Sequence, residues 1–356
     1  MKLDQLTFTR FVAAISIVVF HYGKDVFPFN FDITSFLFRQ ANIGVSYFFI
    51  LSGFVMTIAY SQKREISFLD YMKRRFARIY PVYFIAIVIL TVYFIIVKDL
   101  ENPFDLSGLF LNLTMIQAWI PGKASSFNSP GWSLSIELFF YATFPLLFNK
   151  IYSKQPLKVI ILPILLLFVV SQGLLHWLRY SSFYEGFPSK SHDFLFYFPL
   201  MHFNEFLIGS LTGLIFLKNK KFKNYDWAII LLSLVFVLIL RLDIGLNYHN
   251  GLLAIIFVPL TLMISSNNGM LTKLFSKSTF VFLGEISYGI YILQMPVHHW
   301  VNGVLKYMGI SNVTVVFYAT LIILIAVSAF SYKYIEAPLR NAINNIGSNS
   351  KSVQQS

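Results

Sequence analysis

The stretch LTFTRFVAAISIVVFH at residues 6–21 decides how the whole chain is read. It is apolar enough for a bilayer, yet it carries Arg10 near one end and His21 at the other. Crossing the hydrocarbon core takes about 20 mostly apolar helical residues. From Arg10 to His21 a helix makes about three full turns, so both side chains leave one face, roughly 16 Å apart. An ionisable group inside a span is costly and marks a functional site by default. The alternative is that Arg10 snorkels to the inner interface while His21 is hydrogen-bonded at the outer one. Because Arg10 breaks the apolar run and no small-residue cleavage site follows, the segment is expected to be a retained span and not a signal peptide.

The rest of the chain agrees with a membrane setting. Its 356 residues are 56% hydrophobic and 12% charged, and they include 39 Phe, 20 Tyr and 5 Trp. Soluble domains carry about 25% charged residues. Ten apolar stretches follow one another: 5–23, 41–60, 79–97, 133–149, 159–175, 195–217, 226–240, 251–266, 279–302 and 312–332. The expected fold is all-α, a polytopic membrane protein of about ten transmembrane helices. Residues 1–340 form one membrane-embedded domain, and 341–356 form a short polar, disordered cytoplasmic tail. Lys and Arg divide 19 to 8 between alternate loops, which places both termini in the cytoplasm. The net charge of +12 is thus a topology signal and gives no nucleic-acid face. Four tryptophans, Trp119, Trp132, Trp177 and Trp300, fall near outer span ends, where an aromatic belt would lie. The absence of cysteine excludes disulfides and thiolate metal sites.

Two further segments carry chemistry. KRRFARIYP at 73–81 places Arg75 and Arg78 three apart on one side of a helix, just before Tyr80 and Pro81 lead into the third span. Guanidinium forks suit phosphate oxygens, although cytoplasmic loops are basic in any case. NSPGWSLSIE at 128–137 opens the fourth span with Trp132 and Ser133, and Glu137 follows less than two turns in from the outside. A carboxylate there must be paired or protonated. His21 lies at a similar depth, so the two are expected to form a general base with its orienting carboxylate; an interhelical hydrogen bond is the alternative. His202, Asn204, Glu205, Glu285, His298 and His299 read as interhelical hydrogen-bonding groups. No metal motif, P-loop, dinucleotide fingerprint or nucleophile elbow is present, so no metal site is expected.

With GVSYFFILSGFVM at 44–56, GEISYGIYILQMPV at 284–297 and YIEAPLR at 334–340, these segments resemble acyltransferase family 3 over residues 5–340. The resemblance implies an integral-membrane O-acyltransferase of the cell (cytoplasmic) membrane. It implies acyl-coenzyme A, by family practice acetyl-coenzyme A, as donor substrate, with no permanently bound cofactor. The implied acceptor is a hydroxyl of a cell-surface or exported polysaccharide or glycolipid. It also implies that Arg10 and His21 are essential, that Arg75 and Arg78 serve the donor, and that Trp132, Ser133 and Glu137 are functional. Many members have His where this chain has Gln294, which cannot titrate, so no proton relay is expected there. Gln294, Ser133 and the Trp132 indole N–H are the oxyanion candidates. Some members carry a C-terminal extracytoplasmic hydrolase-like domain. This sequence is expected to work without it or with a separate partner, such as a polysaccharide assembly machinery or a second copy of itself. A transporter or flippase for a glycan or anionic substrate is the competing class, disfavoured by the lack of an inverted repeat.

Overall fold

The computed structural model describes residues 3–97, 105–242 and 245–345. Among these residues the protein is all-α apart from an isolated bridge between Lys223 and Asn267. Ten helices match the ten apolar stretches. They are α1 (Asp4–Val18, continued by a π turn over Val19–Gly23), α2 (Gly44–Tyr60), α3 (Phe68–Val97), α4 (Trp132–Leu147) and α5 (Leu157–Arg179), followed by α6 (Phe203–Lys218), α7 (Asp226–Arg241), α8 (Ala254–Ser266), α9 (Ser278–Tyr307) and α10 (Val313–Ser331). Eight of them, with their flanking turns, are long and apolar enough to cross a membrane. The other two, α7 and α8, have 16 and 13 residues. At ~1.5 Å per residue they reach about 24 and 20 Å, short of a ~30 Å core.

Small residues set the closest helix crossings. Lipid supplies no hydrophobic drive between helices, so bundles gain stability where backbones approach. A Cβ on Gly209 of α6 would lie 1.9 Å from the Ile50 carbonyl oxygen of α2, and one on Gly53 would lie 2.1 Å from that of Phe206. Gly284 of α9 meets the Thr7 carbonyl of α1 in the same way, at 2.0 Å. Helices α1, α2, α6 and α9 therefore form the centre. Outer helices keep apolar side chains exposed, as Leu162, Leu166 and Val170 on α5 and Leu231 and Leu238 on α7 show.

Three places depart from the sequence expectation. Helix α3 starts at Phe68, so Arg75 and Arg78 lie two to three turns inside a 30-residue helix and not in the loop before a span. The segment before α4 enters the bundle. Asn128 is fully buried and donates to the Ile292 carbonyl at 3.5 Å, the Ser129 amide points at Met295 Sδ at 3.3 Å, and the Tyr291 hydroxyl donates to the Pro130 carbonyl at 3.1 Å. Ile292 and Met295 stand midway along α9. Irregular backbone at such depth survives only where protein satisfies its polar groups, and α9 supplies them. Trp132 is consequently no belt residue: its ring packs on Tyr197 at 4.8 Å and on His202 at 5.5 Å inside the bundle. Finally, the tail expected from 341 begins as the end of a helix, Ala337–Asn345, while 346–356 lie outside the described residues.

Candidate active site

Two cavities are stacked along the centre of the bundle. The inner one, about 110 Å³, is lined by Arg10 of α1, Ser52 of α2, Arg75 and Arg78 of α3, Glu137 and Tyr141 of α4, and Tyr288 of α9. Ligand clefts usually span roughly 300–1,000 Å³. This space therefore suits one anionic group or the end of a chain, not a whole nucleotide. The Arg75 guanidinium stacks over the rings of Tyr60 and Tyr71, at 5.8 and 5.4 Å, which fixes it while leaving its charge uncancelled. Glu137 and Glu336 lie within electrostatic range of Arg10 and Arg78. Yet among the described residues no carboxylate comes within 4.0 Å of any of the three arginines. Three guanidinium groups thus face one small space without ion-pair partners.

The outer cavity is larger, about 550 Å³. His21, Ser46, Trp132 and Tyr197 line it, and so do Arg179, at the end of α5, and His249, between α7 and α8. His21 sits on the π turn that closes α1; such turns are rare and concentrate at functional sites. Its Nδ1 is 2.8 Å from Gln294 Oε1, and Gln294 Nε2 donates to the Tyr291 carbonyl at 2.7 Å. That second bond fixes which way the amide points. Oε1 must then accept, so in the neutral imidazole Nδ1 carries the proton and Nε2 holds the lone pair. Nε2 has no protein partner among the described residues.

Between the cavities stands a thin septum. Tyr291 and Val45 line both spaces. The Tyr291 hydroxyl and Ser133 Oγ are 2.9 Å apart, and each also lies 3.1 Å from the Pro130 carbonyl. Tyr288, Tyr291 and Gln294 recur every three residues, so one stripe of α9 runs past the arginines, through the septum and up to His21.

The geometry corrects the expected dyad. Glu137 does not meet His21; its Oε2 accepts from the Tyr141 hydroxyl at 3.1 Å and faces the inner cavity. The cause is the buried start of α4: counting depth from an outer interface placed Glu137 too high. Glu205, the other carboxylate at hand, bonds His202 Nδ1 at 2.7 Å. Gln294, expected as an oxyanion candidate without a proton-relay role, is the partner that orients His21. Its Oε1 accepts from His21 and one of its two Nε2–H groups donates to the Tyr291 carbonyl, while Ser133 Oγ is shared between the Tyr291 hydroxyl and the Pro130 carbonyl.

The family model described as "Acyltransferase domain" matches residues 3–332. The chain belongs to acyltransferase family 3. Acyltransferase MdmB of Streptomyces mycarofaciens is 30% identical over 234 residues, 60% of this chain and 58% of that protein. The peptidoglycan O-acetyltransferase OatA of Listeria monocytogenes is 27% identical over 93% of this chain and 54% of its own length. The O-acetyltransferase OatA of Staphylococcus aureus is 24% identical over 93% and 56%. This acyltransferase-family chain thus spans about half the length of the curated relatives it matches. No solved structure matches it.

Within this family-3 chain, sequence reasoning missed five residues of the two cavities and their surroundings. Tyr141 holds Glu137. Glu336, in the YIEAPLR segment, is buried on the π turn Tyr332–Glu336, in range of Arg78 and Arg10. Tyr291 was visible only as part of a motif. Arg179 and His249 come from loop ends with no motif at all, and no local signal marked them.

Proposed function

We propose that this protein is an integral-membrane O-acyltransferase that moves an acyl group, acetyl by preference, from cytoplasmic acyl-coenzyme A to a carbohydrate hydroxyl on the opposite side. The arrangement of two cavities supports it: arginines without ion-pair contacts in one, an oriented histidine in the other, and Tyr291 and Val45 shared between them. With the termini in the cytoplasm, the inner cavity opens toward the donor. Arg10, Arg75 and Arg78 would hold a phosphate or the acyl-thioester end, which matches the small volume. The acceptor would fill the outer cavity.

The chemistry follows from the imidazole tautomer. His21 Nε2 takes the proton of the acceptor hydroxyl, and the oxygen attacks the thioester carbonyl at the septum. The tetrahedral intermediate collapses, a C–O ester bond replaces the C–S bond, and the leaving thiolate recovers the proton from His21. The Trp132 indole N–H would stabilise the developing oxyanion. Glu137 and Glu336 would keep the arginines apart and oriented.

The test is release of free coenzyme A from acetyl-coenzyme A by the purified, detergent-solubilised protein with a carbohydrate acceptor. Acceptor-dependent release that disappears in His21→Ala supports the reading. Absence of thioester cleavage, with uptake of glycan into proteoliposomes, would turn it toward transport.

A further inference from the structure

Charge on the wall of the outer cavity is one-sided. Arg179, His21, His192, His202 and His249 line it, and no carboxylate does. Glu205 bonds the lining His202 at 2.7 Å, and Asp193, in electrostatic range of the lining His192, accepts from the Gly122 amide at 2.8 Å. Arg179 stacks over Tyr180 at 5.6 Å but, among the described residues, donates no hydrogen bond and has no carboxylate within 4.0 Å. A half-buried guanidinium without a partner costs desolvation for no return unless a ligand supplies the anion.

The surrounding loop is built to hold this wall in place. Asn250 is buried in a left-handed conformation (φ 58°) and donates to the Leu195 carbonyl at 2.9 Å, while Gln172 of α5 donates to the Asn250 carbonyl at 2.7 Å. The Asn247 amide donates to His176 Nε2 at 3.1 Å, one turn before Arg179. Burial, with His202, Arg179 and His192 nearby, pulls the His249 imidazole down to about 4. His249 is therefore neutral at ordinary pH and adds hydrogen-bonding capacity without a second charge. The cavity also offers the Trp132 and Tyr197 rings, inclined to each other at 44°, and either ring gives an apolar face for a sugar ring to lie against. Its volume of about 550 Å³ is within the usual ligand range of roughly 300–1,000 Å³.

We infer that the acceptor is an anionic saccharide, bearing a carboxylate or phosphate that pairs with Arg179 while its sugar ring lies on Trp132 and its reactive hydroxyl reaches His21. The inference rests on reading the outer cavity as the acceptor site. Arg179 here is a specificity residue, distant from bond making. Its fork geometry favours a planar or tetrahedral oxyanion over a neutral hydroxyl.

The experiment measures binding to the purified full chain by tryptophan fluorescence, using methyl glucuronide, glucose 6-phosphate and methyl glucoside as probes. At least one charged probe should bind roughly tenfold or more tightly than the neutral one, the worth of a hydrogen bond to a charged group. The two charged probes separate carboxylate from phosphate. Arg179→Gln should erase the preference, Arg179→Lys should keep part of it, and added salt should weaken it. Equal binding of charged and neutral sugars, no binding of either charged probe, or a preference that survives Arg179→Gln would overturn the inference. Because binding is read without turnover, failure of coenzyme A release with the charge preference intact would strike only the enzymatic reading.

Discussion

The inner and outer cavities are built from opposite materials. The inner one is made of residues fixed within regular helix turns, Arg10 on α1, Arg75 and Arg78 on α3 and Glu137 on α4, and it is small and densely charged. The outer one is roomier, and its polar groups come from helix ends and loops: His21 on a π turn, Arg179 at the end of α5, His249 between α7 and α8. Under the proposed function, the rigid, narrow site would hold the donor and the wide site assembled from loops would hold the acceptor, because loops vary without disturbing the bundle.

That division makes variants in the two halves fail differently. His21→Ala should have the largest effect, a loss of about 10²–10⁴ in turnover, the usual worth of a general base. Its donor binding should stay intact in equilibrium dialysis with acetyl-coenzyme A; near-normal turnover would remove His21 from the chemistry. Arg78→Ala or Arg10→Ala should weaken donor binding by roughly 10–100-fold, since hydrogen bonds to charged groups are worth about 1.5–3 kcal/mol. Lys replacements should recover only part. Acceptor binding should not change, and an equal loss at both substrates would collapse the distinction between the halves. Glu137→Gln should likewise register on the donor side only.

Much of the inner cavity could be read from sequence, because helix periodicity places Arg75 beside Arg78 and Arg10 below His21 whatever the tertiary packing. The number of apolar stretches was also legible, since hydropathy is local, and so was the shortness of α7 and α8, whose stretches 226–240 and 251–266 fall below the ~20 residues of a full span. Depth was not. The buried Asn128–Gly131 turn moved α4 inward, carried Glu137 from His21 to the arginines and drew Trp132 off the interface. No sequence pattern distinguishes a Pro-Gly turn on the surface from one held by α9. The orienting part played by Gln294 was not legible for a related reason: an amide can fix a tautomer only once its own orientation is pinned, here by the Tyr291 carbonyl.

Smaller effects sharpen the comparison. Gln294→Leu removes the acceptor for His21 Nδ1–H and should lower turnover about 5–10-fold, the equivalent of one net hydrogen bond of roughly 1–1.5 kcal/mol. Acetyl-coenzyme A affinity should not move, and an unchanged rate would mean that His21 is held by packing alone. The smallest effect concerns pH. His249 has its folded value near 4 against 6.5 for the free side chain, with His202, Arg179 and His192 as its charged neighbours. The unfolded chain takes up that proton first, so this contribution to stability is complete above pH ~6.5 and is lost as pH falls toward 4. Melting temperature followed from pH 7 to 4.5 should drop less steeply in His249→Gln than in the native protein. Parallel curves would show that His249 is not held in its neutral form.

The central claim, two cavities reached from opposite sides of the membrane across one septum, is open to a direct measurement because the chain has no cysteine. Ser46 lines the outer cavity and Ser52 the inner one, about 9 Å apart along α2 at 1.5 Å per residue. Ser46→Cys and Ser52→Cys proteins, in right-side-out and inverted vesicles, would be exposed to a small membrane-impermeant thiol reagent. With the termini on the cytoplasmic side, as proposed, Ser46→Cys should be modified only from the outer side and Ser52→Cys only from the cytoplasmic side. Modification of both from the same side would contradict it, because the two spaces would then be one cavity with a single mouth.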